Sequence, residues 1–227
     1  YIQYANVVSD GGALTKNVDF ALMTGGLAIG SDYIGHQDVT WSGTSDKDFE
    51  ISVYSFSEHS YYLNRKLADG QMISYSLKFN EDQGRTETGV NEANAQNLYI
   101  KNSVGGRELG MNSYGDPWGE NADAVKTSPV RGLKQTLQQG FYNNVYNFAY
   151  ARKGNTVYML VKYEGAEDWV AVSKPTVSDA EAQIKLYVSG TPGYCFDYTY
   201  SDFAFNGNAA EVSSIIDAAC ANESTKT

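Results

Sequence analysis

Three carboxylates stand at alternate positions in Asp46-Lys47-Asp48-Phe49-Glu50. Residues two apart on a strand share a face, so Asp46, Asp48 and Glu50 are expected to form a row. Paired carboxylates are the machinery of glycoside hydrolysis, one ionised and one kept protonated. A retaining enzyme holds them about 5–5.5 Å apart. The same oxygens suit a hard cation, and Asp32, Asp46, Asp48 and Asp202 are the candidate ligands for a structural Ca²⁺. No EF-hand spacing accompanies them. His36 and His59 lie in polar stretches with no paired nucleophile, and no Gly-rich phosphate loop is present.

Aromatic side chains offer a second chemistry. The axial C–H face of a sugar ring stacks on an aromatic plane, while its hydroxyls take amide, carboxylate or cationic partners. The segment 107–121 combines Asn112, Tyr114, Asp116 and Trp118 with Gly and Pro in what reads as a loop, and loops on a rigid scaffold commonly carry function. Trp41, in Val39-Thr40-Trp41-Ser42-Gly43, is a second loop candidate. Trp169 begins an apolar run, where core packing competes with sugar stacking. Tyr142 and Tyr146, beside Asn143, Asn144 and Asn147, would widen a platform or pack within a strand. No residue is assigned a catalytic role.

The elements that must position these residues are mostly strands. Ile51 and Val53 alternate with Glu50, Ser52 and Tyr54, and Met72–Phe79 repeats the pattern before a turn-rich 80–84. Leu98-Tyr99-Ile100 reads as a short strand closed by Gly105-Gly106. Tyr146–Arg152 and Thr156–Tyr163 flank Lys153-Gly154-Asn155, a tight hairpin turn in which Gly supplies a positive φ. Trp169–Ser173, Ile184–Val188 and Tyr194–Phe205 follow as further strands. One helix is expected after Asn208, which caps it with Glu211 at the third helical position. Val212, Ile215, Ile216, Ala219 and Cys220 then share a face. A short surface helix is also expected over 131–139.

Composition narrows the classes. The chain has 227 residues with a formal charge of −10, which repels nucleic acid, and no basic cluster offsets it. No apolar run approaches the 18 residues of a membrane span. Four prolines, no charge block and no repeat leave a single domain over 1–227, with 222–227 a tail or linker. Such a chain buries roughly 70% of its unfolded surface without a staple. The sequence opens at Tyr1 without an initiator Met or signal-type segment, as a mature or excised fragment would. Tyrosine is prominent at 18 residues, a type suited to strands where the ring packs and the hydroxyl reaches water. Cys195 and Cys220 would close a loop worth about 3 kcal/mol in an oxidising compartment, or remain two buried thiols. Two Cys and two separated His do not make a zinc site.

Phe148-Ala149-Tyr150-Ala151-Arg152-Lys153-Gly154-Asn155-Thr156-Val157-Tyr158 resembles a recurring hairpin of concanavalin A-like jelly rolls. Tyr200–Phe205 resembles their closing strand and Asp48–Val53 an earlier one. The resemblance implies an all-β, two-sheet antiparallel jelly-roll sandwich with a short C-terminal helix. That superfamily includes lectins, carbohydrate-binding modules, laminin-G-type domains, glycosidases and lyases. Asp46–Glu50 is similar to the Glu-x-Asp-x-Glu strand of laminarinase-like hydrolases, although Asp46 replaces the nucleophile Glu and Lys47 an apolar residue. Arg85-Thr86-Glu87 is similar to a strand of jelly-roll alginate lyases whose companion Gln-x-His motif is not found.

These observations lead to one expectation. The chain is a non-catalytic carbohydrate-binding module of a secreted or cell-surface bacterial protein, a monomeric part of a larger chain that requires no cofactor. Its partner is a polysaccharide or oligosaccharide, with an α-glucan such as starch first. The alternatives are a laminarinase-like hydrolase using Asp46 and Glu50, and a laminin-G-like adhesin with a protein partner.

Overall fold

A computed structural model describes residues 7–10, 13–16, 22–26, 37–42, 50–55, 59–80, 99–112, 117–118, 125, 145–163, 166–189 and 196–222. The strands among them are β1 (Val7–Asp10), β2 (Ala13–Lys16), β3 (Leu22–Gly26), β4 (Gln37–Ser42), β5 (Glu50–Ser55), β6 (His59–Leu63) and β7 (Met72–Phe79). Then come β8 (Tyr99–Val104), β9 (Arg107–Asn112), β10 (Pro117–Trp118), β11 (Val145–Lys153), β12 (Thr156–Tyr163), β13 (Val170–Ser173), β14 (Ile184–Ser189) and β15 (Phe196–Asn206). Helix α1 spans Ala209–Ala221.

Two antiparallel sheets form a jelly-roll sandwich. One runs β1-β2-β3-β6-β14-β8-β9-β10 and the other β13-β12-β11-β7-β15-β5-β4. Alternation decides what faces inward. Ile73, Tyr75 and Leu77 of β7 are buried between the sheets, while Ser74 and Lys78 are half-buried on the opposite face. Phe148 and Tyr150 of β11, Met159 and Val161 of β12, and Tyr198 and Tyr200 of β15 continue the same core.

β15 shows where strict alternation fails. Its register against β7 shifts between Ser201 and Ala204, so that two residues, Asp202 and Phe203, occupy the space opposite one. Asp202 takes φ 54° and points to solvent. Phe203 therefore enters the core three positions after Tyr200 rather than two.

The β11–β12 hairpin forms as the Gly-Asn spacing requires, one residue tighter than expected. Lys153 pairs with Thr156, which leaves a two-residue turn with Gly154 at φ 62°. Arg152 lies beneath it, 3% exposed. Its Nε donates to Gly154 O at 2.9 Å, and its Nη1 donates to Leu67 O at 3.0 Å and Ala180 O at 3.3 Å. Carbonyl dipoles thus satisfy a buried cation and tie the turn to two neighbouring loops.

Helix α1 starts as the capping pattern predicts. Asn208 Oδ1 accepts the Glu211 N–H at 3.1 Å. Val212, Ile216 and Ala219 are buried against Ala149, Ala151, Leu160, Ala171 and Met72, with Ile215 and Cys220 half-buried beside them. This second cluster lies on the outer face of the seven-stranded sheet. Alanines at 149, 151 and 171 leave the room that a helix needs to approach a sheet.

Two expectations about local structure are corrected. The segment 107–121 was expected to be a loop, yet it contains β9 and β10, with Pro117 paired to Met111 and Trp118 to Gly110. Leu109 is fully buried and Gly110 lies against the β8 backbone, where a Cβ would sit 2.1 Å from Ile100 O. Glycine here permits strand contact rather than looping. Trp41 likewise stands within β4, directly across from the fully buried Ile51, and not in a loop. The strand expected at 98–100 runs on to Val104.

Candidate functional site

The outer face of the seven-stranded sheet divides in two. Over β11, β12 and β13 it is small, apolar and covered by α1. Toward β7, β15 and β5 it carries hydroxyl, amide and charged side chains at the positions that alternate with the core.

The register aligns these polar residues in rows across the strands. Ser201 of β15 pairs with Ser76 of β7, which pairs with Asn147 of β11, which pairs with Lys162 of β12. Beside this row, Ser52 of β5 pairs with Thr199, and Thr199 with Lys78. Adjacent strands lie about 4.8 Å apart, so the platform from β5 to β12 spans about 19 Å, the length of a short oligosaccharide.

Hydrogen bonds hold the side chains in place. Ser76 Oγ donates to Asn147 Oδ1 at 2.8 Å. The Ser52 and Thr199 hydroxyls are 2.9 Å apart, and Asn80 Nδ2 donates to Thr199 Oγ1 at 3.0 Å. Exposed Glu50, at the head of β5, lies 3.4 Å from Ser52 Oγ. At the other end Lys162 Nζ sits 4.7 Å over the Trp169 ring, a cation–π contact. Trp169 packs half-buried against the helix-side cluster, and its carbonyl accepts Asn222 Nδ2 at 3.0 Å. The end of α1 and Trp169 together bound the platform.

Beneath this face lies a polar centre that joins the sheets. Asn102 of β8 is fully buried, and its Nδ2 donates to the hydroxyls of both Tyr75 and Tyr150. Its Oδ1 accepts the Tyr187 N–H at 2.8 Å. Tyrosine on a strand commonly extends its hydroxyl to water, but those of Tyr75 and Tyr150 meet this buried amide instead. Burial raises the Tyr75, Tyr200 and Tyr61 hydroxyls above their ordinary pKa of 10 and pushes Tyr150 up to about 12, with the bonds from Tyr75 and Asn102 to Tyr150 opposing the shift. These phenols remain neutral at physiological pH, so the centre has a positional role under the platform.

The residues proposed from sequence are not all gathered on this face. Trp169 borders it and Glu50 lies on it. Tyr146 is buried between the sheets rather than in the platform. Asn112 ends β9 and Trp118 lies in β10, both in the other sheet. Tyr114, Asp116, Tyr142, Asp32, Asp46, Asp48, Cys195, His36, 85–87 and 131–139 lie outside the described residues. Asp202 is exposed at the β15 bulge, its carboxylate 3.4 Å from Ser201 Oγ. Sequence reasoning missed Ser76, Lys162 and Thr199, and named Asn147 only as a neighbour of Tyr146. Each occupies the outward phase of a recognised strand, Ser76 buried at 4% exposure and the other three half-buried, but cross-strand register was needed to see them as neighbours.

No protein-family description and no curated protein matches this chain. Solved structures with similar folds include the binding domain of botulinum neurotoxin serotype G, at 11% identity and TM-score 0.40 over 92% of this chain and 49% of that one. The chain thus spans about half the length of that domain. The VIP36 exoplasmic/lumenal domain in a Ca2+/Man-bound form is similar at 9% identity and TM-score 0.40, over 76% of this chain and 82% of its own. An alginate lyase from Klebsiella pneumoniae is similar at 11% identity and TM-score 0.37, over 91% and 85%.

Proposed function

We propose that this domain holds a polysaccharide without cleaving it, on the open half of the outer face of its seven-stranded sheet. The observation that carries the reading is the row Ser201–Ser76–Asn147–Lys162 ending at Trp169. The Ser201 hydroxyl, the Asn147 amide and the Lys162 ammonium would meet the hydroxyls of an extended sugar chain, while buried Ser76 orients Asn147. The indole at the end provides an apolar edge for a ring face. The site is shallow and held rigid by strand pairing, which suits affinity in the micromolar-to-millimolar range from a few contacts.

The hydrolytic alternative rests on Asp46 and Glu50, of which only Glu50 lies among the described residues, exposed at the head of β5. An α-glucan is the first polymer to test. Secretion and a structural Ca²⁺ held by Asp32, Asp46, Asp48 and Asp202 belong to the same proposal.

A pull-down panel on insoluble and gelled polysaccharides tests it, using wild type, Lys162→Ala, Trp118→Ala and Trp41→Ala. Retention of wild type and its loss in Lys162→Ala is the expected result. Retention on no glycan overturns the function. Loss in Trp118→Ala with full retention in Lys162→Ala moves the site to the β9–β10 side.

A further inference from the structure

The chain contains one Asn-Gly dipeptide, Asn206-Gly207, and it lies where β15 hands over to α1. Asn206 closes the β15 ladder opposite Met72, and its Oδ1 accepts the Asn208 N–H at 2.9 Å. Asn208 is itself the cap of the helix. Gly207 is exposed, and its N–H makes no hydrogen bond among the described residues.

We propose that Asn206 is a site of self-modification through a succinimide. After loss of its proton, the Gly207 nitrogen attacks Cγ of Asn206. The new N–Cγ bond forms as the Cγ–Nδ2 bond breaks, and the side-chain nitrogen leaves as ammonia with a proton from water. Glycine permits the close approach because it has no side chain to obstruct the ring. The Asn208 N–H polarises the carboxamide and stabilises the oxyanion that develops on Oδ1, as a backbone donor does in acyl transfer. Water then opens the ring at either carbonyl, giving Asp or isoAsp.

The two products have different consequences for the fold. Aspartate leaves the main chain unchanged, retains the acceptor for the Asn208 N–H, and adds a negative charge at a helix N-terminus, where it is favoured. Isoaspartate adds a methylene to the main chain between β15 and α1. That link has little slack, because Ala209 packs on the Gly70 turn so closely that a Cβ on Gly70 would lie 2.7 Å from Ala209 Cβ. Isoaspartate therefore shifts the start of α1 off its seat and loosens the helix from the sheet.

The test is incubation of the full chain at mildly alkaline pH, folded and in denaturant, with peptide mass mapping and enzymatic isoaspartate labelling. Conversion at Asn206 in the folded protein should match or exceed that in the denatured chain. Gly207→Ala should slow it about tenfold, a barrier change of about 1.4 kcal/mol. Asn206→Asp, which cannot form the amide-derived product, should keep amide-exchange protection across 209–221, while the isoaspartate fraction loses it. Folded conversion at least tenfold slower than denatured overturns the proposal that the junction favours reaction. Full helix protection in the isoaspartate fraction overturns its effect on α1.

Discussion

The Asn102 carboxamide donates to the Tyr75 hydroxyl at 2.9 Å across the space between the two sheets. With its bonds to Tyr150 and Tyr187, one amide satisfies polar groups from β7, β11 and β14. Tyr187 lies between the Lys185–Ser103 and Val188–Ile100 pairs of the β8–β14 ladder, which keep one register.

Asn102→Ala should therefore destabilise the fold by about 2–4 kcal/mol, since it takes a partner from the Tyr187 N–H and leaves two buried phenols only their long 3.5 Å contact with each other. Chemical denaturation measures it. Adding Tyr75→Phe and Tyr150→Phe should recover part of the loss, because the orphaned hydroxyls go with them.

Alkaline pH should unfold the domain. Burial raises the folded-state pKa of Tyr61, Tyr75, Tyr150 and Tyr200, whereas the unfolded phenols ionise near pH 10. The neutral folded form thus contributes stability that is fully present below about pH 10 and is lost as pH rises through the folded values, for Tyr150 about 12. Phenolate absorbance should appear together with loss of β-sheet signal. A fraction of phenols titrating reversibly near pH 10 is expected from exposed tyrosines; titration of all of them there without unfolding would contradict the burial.

The docked helix should be separable from the sandwich in energy. Asn208→Ala removes the acceptor for the Glu211 N–H and should cost about 1 kcal/mol. Ile216→Ala empties the second cluster and should cost about 2–4 kcal/mol. Hydrogen exchange should show the loss first in α1, with β7 and β15 still protected.

Gly154→Val places a β-branched residue at φ 62° in the β11–β12 turn. A penalty of about 1–3 kcal/mol is expected from thermal melts. Gly106→Ala, at φ 77° and in open space as Gly154 is, should cost less, because alanine lacks the branched Cβ of valine.

Reducing-end release from β-glucan, abolished in Glu50→Gln, would replace the binding reading with a hydrolytic one. We expect none, from wild type or from Glu50→Gln.

What could be read from the residues follows from how local each signal is. The Met72–Phe79 alternation, the turn at Gly154 and the Asn208 cap depend on neighbours within a few positions, and all three stand in the structure. Asn102 was legible in principle, since Ile100 and Val104 place it in their inward phase, but a lone amide there gives no hint of its partners. The loop expected at 107–121 failed because Gly110 permits close strand contact and Pro117 is tolerated in β10, at the sheet edge. The β15 bulge reversed the phase of alternation after Ser201, which no period-2 count anticipates.

By itself, then, the sequence determined eight of the strands (β5, β7, β8 and β11 to β15), the hairpin, the capped helix and an acidic, tyrosine-rich character. The tertiary structure decided which strands lie side by side. Ser76 and Asn147 are distant in the chain and become partners through the pairing of β7 with β11, while Asn147 and Lys162 meet across the hairpin. Period-2 alternation tells which side chains share a face, but adjacency across a sheet depends on register and strand order. Those are set by packing throughout the core, and the candidate platform exists only once they are chosen.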